Sequence, residues 1–116
     1  MMRPLTILVV EFNTLMAAAL EQLLRSSGHE VVVVPDGASA LVALEEWSVD
    51  VILNDIDDAE IDGVTLIQSL PDALQRRVVY LAGAASEPAV PDGAILLQKP
   101  SRGHALRAAV ERAAAE

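Results

Sequence analysis

Short apolar runs alternate along the chain with longer segments whose apolar residues recur at helical spacing. Residues 5–10, 31–34, 51–54, 78–81 and 94–97 read as five strands. The run at 51–54 predicts a central strand covered on both faces, because it has no polar alternation before Asn54. Residues 14–27 predict a helix that Asn13 or Thr14 caps and Gly28 stops. Residues 38–47 predict a second, entered through the turn Pro35-Asp36-Gly37, with Ala40, Leu41 and Leu44 facing inward. A short helix is expected over 63–70, ended by Pro71. The last helix is expected over 102–115, with Ser101 as its cap and Leu106 and Val110 turned to the core. Between the fourth and fifth strands, Pro88 and Pro91 leave room for a helical turn at most within 83–93. The order is that of repeated β-α units around a parallel sheet, in one domain over 1–116.

Three strand-like runs end in charge. Val10 is followed by Glu11-Phe12, and Asn54 by Asp55 and the acidic loop Ile56-Asp57-Asp58-Ala59-Glu60-Ile61-Asp62-Gly63. The fifth run leads to Lys99, the sole lysine, and Pro100. In a parallel sheet such ends meet at one edge, giving a carboxylate pocket with an ammonium beside it. That arrangement suits phosphoryl chemistry, and Phe12 stands where the pocket would want another acid.

Composition narrows the function further. Of 116 residues, 53% are hydrophobic and 22% charged, which is a folding composition. The absence of cysteine excludes disulfides, zinc-thiolate sites and thiol catalysis, and fits a cytoplasmic location. No run reaches the roughly 20 apolar residues that span a bilayer, and Glu11 interrupts the N-terminal run before it could serve as a signal peptide. The net charge is −9, and residues 26–75 hold eleven Asp or Glu and no Lys or Arg. Nucleic acid and anionic membrane are therefore poor partners. Proteins, or a metal cation in the acidic region, are better ones.

Taken together, these residues resemble response-regulator receiver domains over essentially the whole chain. The resemblance is carried by Ile7-Leu8-Val9-Val10-Glu11, Gly28-His29-Glu30-Val31-Val32, Asp36-Gly37 with Ala40-Leu41, Asp50 through Asp55, Asp62-Gly63 and Lys99-Pro100. It implies a three-layer, doubly wound, five-stranded parallel sheet of flavodoxin-like order, here with a shortened or irregular fourth helix. It also implies that Asp55 is the phosphate-accepting aspartate and Lys99 its ion-pair partner and phosphate contact. Magnesium would be shared among Glu11, Asp55 and Asp57, and the phosphoryl donor would be a histidine kinase or phosphotransfer protein.

Several family positions are altered. Phe12 replaces the second acid, Ala82 a Thr or Ser hydroxyl, Leu96 an aromatic switch, and Asp58-Ala59 a Met-Pro pair. Leu81-Ala82-Gly83-Ala84 is similar to a divergent subgroup of stand-alone receivers, with even its Thr missing. Magnesium binding is accordingly expected to be weakened. Each signal also has a plainer reading: Asp55 and Lys99 as a structural ion pair, Phe12 as an aromatic filling the pocket, Asp57 as a solvated loop acid. His29 and His104 are expected at the surface, and Trp47 is expected to seal the second helix against the core.

The expected function is a stand-alone receiver-like signalling domain of two-component or phosphorelay type, not an enzyme, with a degenerate phosphorylation site. It would act by contact with a kinase, a phosphotransfer protein, another signalling protein or a second copy of itself. The contact surface is expected on the last helix and the shortened 83–93 connection. A phosphoaccepting single-domain response regulator, acting as sink or adaptor, is the alternative. A small phosphatase using Asp55-Ile56-Asp57 as an Asp-x-Asp motif is a third reading. That motif usually ends the first strand of a larger domain.

Overall fold

The structure is a computed structural model that describes residues 3–56, 70–83, 94–98 and 103–115. Its strands are β1 (Thr6–Val10), β2 (Glu30–Val34), β3 (Val51–Asp55), β4 (Val78–Ala82) and β5 (Ile95–Gln98). The helices are α1 (Thr14–Ser26), α2 (Gly37–Glu46), α3 (Asp72–Gln75) and α4 (Gly103–Ala114). All strand pairs are parallel, in the order β2-β1-β3-β4-β5. This is the flavodoxin-like order that the family resemblance implies, and the parallel pairing is what the strand-and-helix alternation predicts. β3 occupies the middle, and every one of its residues is buried, as its unbroken apolar run requires.

Alternation along the strands divides the core into two layers. Ile7, Val9, Val51, Leu53, Val79 and Leu81 pack on one face with Leu20 and Leu24 of α1 and with Leu106, Ala109, Val110 and Ala113 of α4. Leu8, Val10, Ile52, Val78 and Tyr80 pack on the other with Ala40 and Ala43 of α2. Small residues let α2 lie close to the sheet. Leu44 is half-buried and packs against this layer, as expected, whereas Ala43 takes the fully buried place expected of Leu41, which stays half-buried.

Helix ends follow local chemistry. The Asn13 side chain accepts a hydrogen bond from the Met16 N–H at 3.0 Å, capping α1. Gly28 ends it at φ +93°, the one left-handed residue among those described, with its N–H donating to Arg25 O and the His29 N–H to Leu24 O. Asp36 caps α2 by accepting from the Ser39 N–H at 2.7 Å. That bond, with the Ser39 side chain, holds the Asp36 carboxyl below its ordinary value.

Three local expectations change. Trp47 is 48% exposed, because α2 ends at Glu46 and Trp47 turns out in extended backbone instead of continuing the helix against the core. His29 is half-buried, since its Nδ1 accepts the Leu5 N–H at 3.1 Å beside β1. The single turn α3 follows Pro71, whose carbonyl accepts from the Leu74 and Gln75 N–H groups, while Leu70 is not helical. The rest of the expected 63–70 helix, the Ser101 cap and nearly all of the 83–93 connection lie outside the described residues. His104 is exposed, as expected.

Candidate functional site

Strand order reverses between β1 and β3, and in open α/β sheets ligands bind outside the carboxyl ends of strands at such a point. Here those ends carry the buried acids among the described residues. Val10 pairs with Asn54, so Glu11 and Asp55 follow at adjacent strand ends. Glu11 is 5% exposed and Asp55 8% exposed, whereas carboxylates ordinarily stay in solvent. The Glu11 N–H donates to Val34 O, and Glu11 Oε2 accepts from the Asn13 N–H at 3.1 Å, tying the carboxylate to the start of α1. Asp55 pairs with Leu81, and the Ile56 N–H donates to Leu81 O, so the chain leaves β3 still bonded to β4.

The altered positions surround this pair. Ala82 ends β4 fully buried beside Gln98 and offers a methyl group at the sheet edge. Leu96 lies on edge strand β5 opposite Tyr80 and is 39% exposed. Phe12 is 58% exposed, which overturns its reading as an aromatic filling the pocket. It instead lines an open groove with Glu11, Thr14, Ala17, Val33 and Pro35. Lys99 and Asp57 lie outside the described residues.

Magnesium commonly takes one or two carboxylates from a protein and keeps several waters. Glu11 and Asp55 fit that demand. Among the described residues no set of three His, Cys, Asp or Glu gathers to hold a metal more fully.

One polar pair escapes a reading based on the charged strand ends. Asn54 is 1% exposed and Tyr80 1% exposed, and they are register partners on β3 and β4. Among the described residues, Asn54 Nδ2, Asn54 Oδ1 and the Tyr80 hydroxyl have no hydrogen-bond partner. Burial pushes the Tyr80 phenol above its ordinary value. The available signal was an amide and a phenol within two fully buried strands that are apolar apart from them and the terminal Asp55.

Comparison with known proteins agrees with this architecture. A family model described as the response regulator receiver domain matches residues 7–111. The transcriptional regulatory protein PrrA of Mycobacterium bovis is 41% identical over 64 residues, covering 55% of this chain but only 28% of that protein. The crystal structure of a response regulator from Chloroflexus aurantiacus superposes with a TM-score of 0.81 at 25% identity, covering 98% of this chain and 100% of the other. The receiver domain of a Pseudomonas aeruginosa sensor histidine kinase, solved with magnesium coordinated in its active-site cleft, gives 0.79 at 24% identity, covering 98% and 100%.

Proposed function

This chain belongs to the response regulator receiver domain family, and from that membership we propose that it is a receiver-like signalling domain with a degenerate aspartate phosphorylation site. It works through protein–protein contact, within a single domain over 1–116, in the cytoplasm, and not as an enzyme. Its partners on this reading are a histidine kinase, a phosphotransfer protein or another signalling protein.

The observation that carries the reading is the mixed state of one sheet edge. Glu11 and Asp55 are buried side by side, while Phe12 faces solvent and Ala82 presents a methyl group. Two of the oxygens that metal and phosphoryl group would use are therefore replaced by carbon. Exposed apolar side chains supply a contact surface: Phe12, Leu15, Met16 and Val33 are all on or near the β1–α1 corner and the neighbouring β2. The 82% exposure of Leu15 places it in solvent unless something covers it. This corner supports contact more directly than the last helix does, whose apolar residues Leu106 and Val110 are spent on the core.

The retained acids support a second reading, in which Asp55 still accepts phosphate slowly as a sink or adaptor. A carboxylate oxygen of Asp55 would attack phosphorus, forming a P–O bond as the P–N bond of a phosphohistidine breaks and its electron pair returns to the imidazole. Lys99 would offset the phosphoryl charge. Glu11, Asp55 and Asp57 are the residues that would hold magnesium, which supplies charge neutralisation when bound. The Asp-x-Asp phosphatase reading has less support, because Asp55 ends the third strand in sequence and not the first.

Incubation with a small phosphodonor and magnesium, read by intact mass beside Asp55→Asn, separates the readings. The degenerate site predicts no gain of about 80 Da, the mass of one phosphoryl group, in the native chain. A gain that Asp55→Asn abolishes would establish the phosphoaccepting reading instead. Turnover of a generic phosphate ester that is lost in Asp57→Asn would establish the phosphatase.

A further inference from the structure

Asn54 and Tyr80 take no part in the carboxylate edge. Side chains alternate along β3, so the amide of Asn54 lies on the face of Ile52, opposite the face of Leu53 and Asp55. Tyr80 belongs to the same α2-side layer, with Leu8, Val10, Ile52 and Val78. The two residues are direct register partners, and side chains so placed on neighbouring strands start from Cβ atoms about 4.5–5.5 Å apart on the same face. Between them they present a donor at Asn54 Nδ2, an acceptor at Asn54 Oδ1 and a hydroxyl able to do either. Apolar residues replace such groups without loss when nothing bonds them, so two of them side by side in a closed layer imply a shared ligand.

We propose that Asn54 and Tyr80 together bind one ordered internal water on the α2-side face of the sheet. Internal waters typically make two to four hydrogen bonds to otherwise unsatisfied buried groups, and these three atoms provide that number. A water accepts from Nδ2, donates to Oδ1 and exchanges a hydrogen bond with the phenol. It pins the carboxyl end of β3 to β4 one residue before Asp55, without touching the carboxylate.

The test uses the full chain labelled with nitrogen-15. The Asn54 side-chain amide is expected to show cross-peaks at the water frequency with the sign pattern of a long-lived bound water. In Tyr80→Phe, which removes one of the three hydrogen-bond partners of the water, they should weaken or vanish. Their absence in the native chain, or signals unchanged in Tyr80→Phe, overturns the proposal. A thermodynamic cycle with Asn54→Leu and Tyr80→Phe gives the second measurement. Each single change is expected to raise the unfolding constant roughly fivefold, and the pair to raise it by much less than the product. Singles that leave the unfolding constant unchanged or lower it would show the groups to be orphaned, and a strictly multiplicative pair would show that they share nothing.

Discussion

Glu11 and Asp55 are neighbours at the sheet's switch point, placed there because Val10 pairs with Asn54 and both strands run in the same direction. Two buried carboxylates at that edge are candidate ligands for a cation, and the residue after Glu11 is the place where a third could stand. With Phe12 exposed at that position, a carboxylate can be introduced without disturbing a packed ring. Phe12→Asp is expected to tighten magnesium binding at least about tenfold, since loss of even a supporting partner of a metal ligand typically costs that much. Calorimetric titration of both proteins checks it, and equal affinities would remove Phe12 as the cause of weakened binding.

The two faces of α1 make opposite demands on leucine. Leu24 is fully buried against the sheet, whereas Leu15 is 82% exposed at the other end of the helix. Leu24→Ala is expected to cost about 2–5 kcal/mol in chemical denaturation. Leu15→Ala should stay within about 0.5 kcal/mol while weakening whatever contact the exposed corner makes. A large loss in Leu15→Ala would mean that this corner is structural and not a contact surface.

The central place of β3 and the approximate strands were legible because parallel strands buried on both faces read as continuous apolar runs, while the sheet order was legible only through the family resemblance. Asp55 and Glu11 were legible for a related reason: each is the first acid after such a run, where a strand must leave the core. Side-chain exposure was not legible. Aromatic character predicts buried rings at Phe12 and Trp47, but both stand just beyond the end of an element, where the backbone turns them outward. His29 went the other way, since its half-buried place depends on Leu5, a residue distant in sequence that pattern alone cannot pair with it. Asn54 and Tyr80 were passed over because periodicity counts apolar positions and does not ask where a single buried amide finds its hydrogen bonds.

Gly28 is held at φ +93°, a conformation that a side chain disfavours whatever space surrounds it. A Cβ there would meet nothing within 4 Å, so the cost of Gly28→Ala comes from the backbone and not from a clash. The expected loss is about 1–2 kcal/mol. Gly28→Asn should lose less, because Asn tolerates the left-handed region better. Denaturant midpoints of the two variants, read beside the native chain, test the order. Equal losses would point to packing in place of conformation.

Asp50 ties the opposite edge of the sheet together. Its Oδ2 accepts the Thr6 N–H at 2.8 Å, at the start of β1, and its Oδ1 accepts from Arg3 at 3.1 Å. Burial alone would push this carboxyl up, but the Thr6 and Arg3 hydrogen bonds and the charges of Arg3 and Arg77 outweigh it, leaving it below the ordinary 3.8. Folding therefore favours the ionised form. The stability this adds is fully present above the unfolded value of 3.8 and is lost as pH falls through the lower folded value. Asp50→Ala leaves the Thr6 N–H without its acceptor and is expected to cost about 1–3 kcal/mol near neutral pH. As pH falls from the unfolded value through the lower folded one, the two proteins should converge, with the native chain losing more of its stability on acidification than the variant. A difference between them that stays constant across that range would show that charge on Asp50 does not carry the effect.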